Sequence, residues 1–208
     1  AMILNAIRTH CAEFGIIAAQ GARKVSELVI SLRIDDTHAV PQIGACALLS
    51  FASQLDNLEQ EIRRIERQLL AWHRQNAASQ LLETISGIGL IMATALAASV
   101  PDPTVFKSGR QFPAYLGLVP RQNPSGGKHR LGHTSKMGNG YLRRLLVIGA
   151  TSVTRRAPTI DSRTGTWVRS LLERKPTRVL SVAIANKTAR AAWALLSKGE
   201  SYRATPAF

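Results

Sequence analysis

Between Leu48 and Trp72 the apolar residues recur at alternating steps of three and four: Leu48, Phe51, Leu55, Leu58, Ile62, Ile65, Leu69 and Trp72. This spacing demands an α-helix with one narrow apolar stripe, because a half-buried strand would alternate at every second residue. The register is a heptad, with Leu48, Leu55, Ile62 and Leu69 at one core position and the other four at the second. Glu59, Glu61, Arg63, Arg64, Glu66 and Arg67 fall off the stripe, as a wetted face requires. Strict register favours an intermolecular coiled coil, and hence a homo-oligomer formed through residues 48–72. Packing of the same helix inside its own domain is the alternative. Pro41 marks the start of this helix. Residues 3–36 read as two shorter helices broken at 18–21. The chain opens at Ala1 already in a helical pattern, which suggests that sequence upstream is missing.

Charge narrows the partner. The chain has 27 Lys plus Arg against 13 Asp plus Glu, a formal charge of +14. From Thr84 to Ile160 the only acid is Asp102, against Lys107, Arg110, Arg121, Lys128, Arg130, Lys136, Arg143, Arg144, Arg155 and Arg156. A block of this kind selects a polyanion, and nucleic acid before a membrane surface. The aromatic content of 5% makes base stacking a poor fit, so phosphate contacts should dominate. Cys11 and Cys46 are far apart and have no CxxC spacing, so neither a disulfide framework nor a zinc site is indicated. A reducing, cytoplasmic setting follows. The apolar run over 85–100 is broken by Ser, Gly and Thr and is too short to span a bilayer.

The basic block centres on residues 117–146, GLVPRQNPSGGKHRLGHTSKMGNGYLRRLL. Ser125 stands between a proline and two glycines, and no carboxylate occurs in the segment. A hydroxyl on a glycine-rich turn among fixed cations suits a phosphodiester, since backbone N–H groups can approach it and side chains can neutralise it. A serine hydroxyl is a weak nucleophile that needs a base or metal to take its proton, after which phosphoryl transfer is largely positioning and charge neutralisation. Arg121, Lys136 and Arg143 are candidates for the scissile phosphate, and Lys128, Arg130 and Arg144 for the flanking backbone. His129 and His133 are near enough in sequence to be considered as bases. Ser135 is the rival nucleophile, although its place before Lys136 and a helix start suits a capping or phosphate role.

The rest of the pattern is helical. Residues 81–100, LLETISGIGLIMATALAASV, resemble a helix-hairpin-helix element in which Gly87 and Gly89 frame the hairpin and offer amides to DNA phosphates. Ser86 replaces the usual proline there, and Leu90 and Ile91 the basic residues that often follow. Pro101, Asp102 and Pro103 close the second helix. A short helix is expected around Phe112 to Leu116, then helices over 140–155, 165–174 and 178–197, with a short hairpin at 128–133. The fold class is mainly α: a long coiled-coil helix followed by a compact basic helical domain. The expected divisions are 1–37, a helical segment; 38–78, the coiled coil; 79–157, the serine domain; and 158–208, C-terminal helices and tail.

Gly117, Pro120, Arg121, Ser125 and Gly126, then Ser135, Lys136, Gly138, Leu142 and Arg143, resemble the C-terminal serine domain of a bacterial insertion-sequence transposase family. Its members pair a RuvC-like DEDD nuclease domain with this serine domain and are described as bridge-RNA-guided recombinases. The resemblance implies that Ser125 is the nucleophile that joins covalently to cleaved DNA. It implies DNA as partner, with a guide RNA as a further one. It places the acidic ligands for divalent metal (Mg) in the DEDD half, which has no counterpart here. The chain alone is therefore expected to bind no metal or other cofactor and to be inactive without that half. The alternative is a non-catalytic nucleic-acid-binding remnant that oligomerises through its coiled coil.

Overall fold

The computed structural model describes residues 2–34, 40–125, 128–159 and 162–199, without the side chains of 22, 32–34, 123–125, 128–130 and 163. The protein is mainly helical. Helices α1 (Met2–Glu13), α2 (Ala22–Ile34) and α3 (Gln42–Gln75) are followed by α4 (Ala77–Glu83) and α5 (Leu90–Ser99). A 3₁₀ turn (Pro103–Val105) and α6 (Gln111–Tyr115) lead to the strands β1 (Pro120–Ser125) and β2 (Lys128–Thr134). Helices α7 (Gly140–Arg156), α8 (Arg163–Leu172) and α9 (Thr177–Lys198) complete the order. No helix among the described residues is long and apolar enough to cross a membrane. The chain divides into two compact units, 1–68 and 69–208, and the division falls within α3.

In the first unit, Ile7 and Cys11 of α1, Val25 and Val29 of α2, and Leu48 and Ala52 of α3 form a small core. Phe51 and Leu55 pack against it. The start of the heptad stripe is thus covered within the unit. Leu58, Ile62 and Ile65, further along, are 50, 54 and 47% exposed. Ion pairs Arg63–Glu59 and Arg64–Glu61 line the wetted side of this stretch.

The second unit is built on α9. Its buried face carries Leu180, Ile184, Ala185, Ala189, Ala192 and Leu195, and the three alanines leave room for α7 to pack closely. Leu142, Leu146 and Ala150 of α7 meet that face within the same core as Leu82, Met92, Leu96, Phe112 and Val168. Residues of α4 through α9 therefore share one core, and the C-terminal helices do not stand apart from it. Helices α4 and α5 form a hairpin in which Gly87 has a positive φ of 90°.

The junction of α3 and α4 holds a buried polar network. His73 Nδ1 lies 2.7 Å from Ser79 Oγ, and its Nε2 lies 3.0 Å from Glu83 Oε2. Serine, imidazole and carboxylate in that order resemble a hydrolytic triad. Ser79, however, is fully buried, so its hydroxyl reaches no substrate. The network fastens α4 to the end of α3, helped by Asn76, whose side chain accepts from Ser79 N at 2.8 Å.

Candidate nucleic-acid interface

The basic segment folds as a hairpin whose two ends differ in chemistry. Pro120 pairs with Thr134 at its base and Ser125 with Lys128 at its tip. Ser125 thus ends a strand, and the two residues that follow, Gly126 and Gly127, lie outside the described residues. The strands reach further than the expected 128–133 hairpin because Pro120 and Pro124 are tolerated where a strand has only one partner. Between Pro120 and Gln122 the register shifts, so that Arg121 faces both Gly132 and His133. The extra residue is in β2, and a bulge bends and twists the strand that carries it. The side chains of Ser125, Lys128, His129 and Arg130 lie outside the described ones. Their backbone places Lys128 opposite Ser125 and Arg130 opposite Asn123.

At the base, residues 135–139 are pinned beneath α6 and its turn. Ser135 N donates to Val119 O at 2.8 Å, and Lys136 N donates to Gly117 O at 3.2 Å. Two glycines allow the approach. Gly117 (φ 68°) and Gly138 (φ 77°) both have left-handed backbone, and a Cβ on either would overlap the opposing chain at Met137 or Tyr115. Arg143 closes the latch: its Nη1 donates to Leu116 O at 2.9 Å and to Met137 O at 3.0 Å. Asn139 then caps α7, accepting from the N–H groups of Tyr141 and Leu142 at 3.0 and 3.1 Å.

Lys136 is the only described residue other than glycine with a positive φ, 55°. A left-handed backbone costs a side-chain-bearing residue roughly 1–2 kcal/mol, and such positions persist where the surroundings dictate them. Lys136 is exposed and lines an open depression of about 430 Å³ together with Thr134, Arg143 and Arg144. Leu118, Val147 and Val182 lie beneath these polar groups. Arg121 remains at the hairpin base, its Nη2 donating to Ser135 O at 3.4 Å. Ser135 Oγ is buried without a hydrogen-bond partner.

The structure therefore brings Lys136, Arg143 and Arg144 onto one depression, with Arg121 beside it, and places Ser125 elsewhere. At about 3.3 Å per residue, the hairpin puts roughly 16 Å between Pro120 and Ser125. Gly87 and Gly89 occupy a third position. Gly87 is turned against α7, where a Cβ would lie 2.8 Å from Val153 Cγ2. Gly89 caps α5 with open space where its Cβ would be and no side-chain hydrogen bond at the cap. Among the described residues no three His, Cys, Asp or Glu side chains are grouped to hold a metal ion. Asp102, the one acid of the basic block, accepts from Thr104 N and Oγ1 at 2.9 and 2.6 Å. Those hydrogen bonds hold its carboxyl below the usual carboxylate range.

Residues 79–164, which span the α4–α5 hairpin, the β-hairpin and α7, match the model of the transposase IS116/IS110/IS902 family. They are a transposase domain of that family. Over 202 residues the chain is 42% identical to a probable family 20 transposase of Pseudomonas aeruginosa, covering 97% of this chain and 60% of that protein. It is 35% identical to the transposase for insertion sequence element IS1111A of Coxiella burnetii, over 97% of this chain and 55% of the relative. With the transposase for element IS1328 of Yersinia enterocolitica, identity is 35% over 94% of this chain and 58% of the relative. The chain thus spans between about half and three fifths of the lengths of these relatives. The transposase domain holds both ends of the hairpin, its serine tip and its basic base.

Proposed function

We propose that this chain is the serine half of a DNA transposase, in which Ser125 attacks a DNA phosphodiester. The reading rests on the transposase domain at 79–164 together with the depression that gathers Lys136, Arg143 and Arg144. In the step, the Ser125 hydroxyl loses its proton to a base and its oxygen bonds to phosphorus. The bond to one sugar oxygen breaks, and that oxygen leaves and is protonated. The product is a phosphoserine link between chain and DNA. A DEDD half, carried on sequence outside this chain, would hold the divalent cation, so no step is assigned here to a metal. The chain by itself forms no adduct on this reading.

The hairpin divides the work. Its length of roughly 16 Å corresponds to about five nucleotide rises along one strand. With Ser125 at the tip, the roles expected from sequence exchange places: the base holds the flanking backbone through Lys136, Arg144 and Arg121, while Lys128 and Arg130, nearer the tip, serve the phosphate under attack. Arg143 both lines the depression and shapes it, through two hydrogen bonds to the carbonyls of Leu116 and Met137. The amides around Gly89 add a further phosphate contact at the N-terminus of α5. A guide RNA is a further partner on this reading, and the exposed part of the α3 stripe joins copies of the chain.

The test is adduct formation by the assembly of this chain with its DEDD half, divalent cation and cleavable DNA. Ser125→Ala should abolish the covalent species and leave binding within about twofold, since one hydroxyl contributes little to a grip of several cations. Adduct formed by Ser125→Ala, or lost in Ser135→Ala with binding intact, overturns the assignment of the nucleophile. A second reading, a non-catalytic nucleic-acid-binding remnant, follows if binding persists and no adduct forms in the wild-type assembly.

A further inference from the structure

Two of the three tryptophans in the chain stand on one basic trench of the second unit. The floor is a face of α9 on which Ala183, Lys187, Arg190 and Ala194 recur at helical spacing. Trp167 of α8 forms one wall, and the turn Ser108-Gly109-Arg110 forms the other. The trench is open and measures about 860 Å³.

Its parts are held in place. Trp193 donates from Nε1 to Pro103 O at 3.1 Å, and its ring seats against Gly109, where a Cβ would come within 3.0 Å. Lys187 Nζ lies 4.0 Å from the centroid of the Trp167 ring, a cation–π contact. Arg110, Lys187 and Arg190 are exposed, while Trp167 and Trp193 are half-buried. No carboxylate is among the described residues that line the trench, and α8 and α9 contain none.

Cations without local carboxylates select a polyanion, and indoles beside them select flat rings. A duplex offers only the first, since its bases are stacked away from the protein. A single strand offers both: phosphates for the cations and unstacked bases for the aromatic walls. The aromatic content of the whole chain argued against such a partner, but the fold concentrates two of its few rings where the charge is. We infer that the trench binds single-stranded nucleic acid, with phosphates on Arg110, Lys187 and Arg190 and bases against the indoles.

The trench adjoins the basic depression. Val182 lines the depression and Ala183 the trench, and they are neighbours on α9. Asn186, in the trench, donates from Nδ2 to the carbonyl of Leu118, in the depression, at 3.2 Å. A strand unpaired at the depression crosses α9 directly into the trench. An unpaired DNA strand and an unpaired RNA segment share this chemistry. The inference rests on the nucleic-acid reading of the basic face but not on the serine step.

The experiment is a titration of the full chain carrying Trp72→Phe, so that tryptophan emission reports only the trench. The probes are oligo(dT), oligo(rU) and a blunt duplex. Both single strands should quench the emission. Lys187→Glu and Arg190→Glu should each weaken single-strand binding about tenfold and duplex binding by about twofold or less. Arg144→Glu should do the reverse. Tighter oligo(dT) assigns the trench to an unpaired DNA strand, tighter oligo(rU) to RNA, and both outcomes support it. The double variant Lys187→Ala/Arg190→Ala, checked by circular dichroism, carries the same expectation should a charge reversal disturb the fold. Absence of quenching, or equal losses on single strand and duplex, overturns the trench. If no probe binds the chain at all, the nucleic-acid reading of the basic face fails with it. Duplex binding that survives while the variants change nothing removes the trench alone.

Discussion

Gly149 of α7 sits so close to the carbonyl of Gly87 that a Cβ at position 149 would overlap that oxygen. The same hypothetical Cβ would lie 2.8 Å from Met92 Cε. The α4–α5 hairpin is thereby seated on α7 by two glycines facing each other, one of them at a φ that only glycine adopts without strain. The contact explains why Gly87 is glycine without any ligand.

Gly149→Ala should therefore destabilise the second unit, by about 1–3 kcal/mol as for other overpacked cores. Part of the overlap is with backbone, which cannot swing aside as Met92 can. Urea unfolding should show the loss as a lower midpoint at unchanged slope. A midpoint equal to the wild type would show that the hairpin does not seat on α7 this closely.

Lys136→Gly separates strain from charge. Glycine adopts the left-handed backbone without the roughly 1–2 kcal/mol cost borne by a side chain, though its unfolded chain is freer by roughly 0.5–1 kcal/mol. Stability should hold or rise slightly. Affinity for duplex DNA should fall, and the slope of log affinity against log salt should become shallower by about one from a wild-type value of roughly −5. Calorimetry and a salt titration read the two effects independently. A large loss of stability would mean that the lysine side chain itself supports the turn.

What could be read in the sequence was local. The helix expected over 140–155 and the helices on either side of Gly87 and Gly89 each depend on residues a few positions apart, and the structure has them. The β-hairpin was legible only in part, because Pro120 and Pro124 read as breakers and an isolated pair of strands tolerates them. The stripe on α3 has a helix period throughout, yet periodicity cannot say which positions α1 and α2 will cover. The trench was illegible. Arg110, Trp167 and Arg190 come from three separate elements, and only the fold brings them together.

Burial sets the two thiols apart. Cys11 lies in the core of the first unit, and desolvation pushes its thiol up from the ordinary value, whereas Cys46 is exposed. Since the thiolate is the reactive form, iodoacetamide near pH 8 should label Cys46 and spare Cys11 in the folded chain. In denaturant both should react. Peptide mass mapping reads the result, and equal labelling under native conditions would place α1 away from its core.

The α3 stripe yields the sharpest division. Leu48 is 3% exposed, so Leu48→Asp would bury an unpaired charge and should unfold the first unit, at a cost of several kcal/mol. Leu58 and Ile65 are about half exposed within the chain. If copies of the chain pair along this stretch, Leu58→Asp with Ile65→Asp should halve or quarter the mass in sedimentation equilibrium while far-UV circular dichroism shows the helix intact. The charges cost little on a solvated helix and much across a seam, where they would lose water without gaining a partner. Wild-type protein that sediments as a single chain, or variants of unchanged mass, would show that these side chains meet nothing from a second copy.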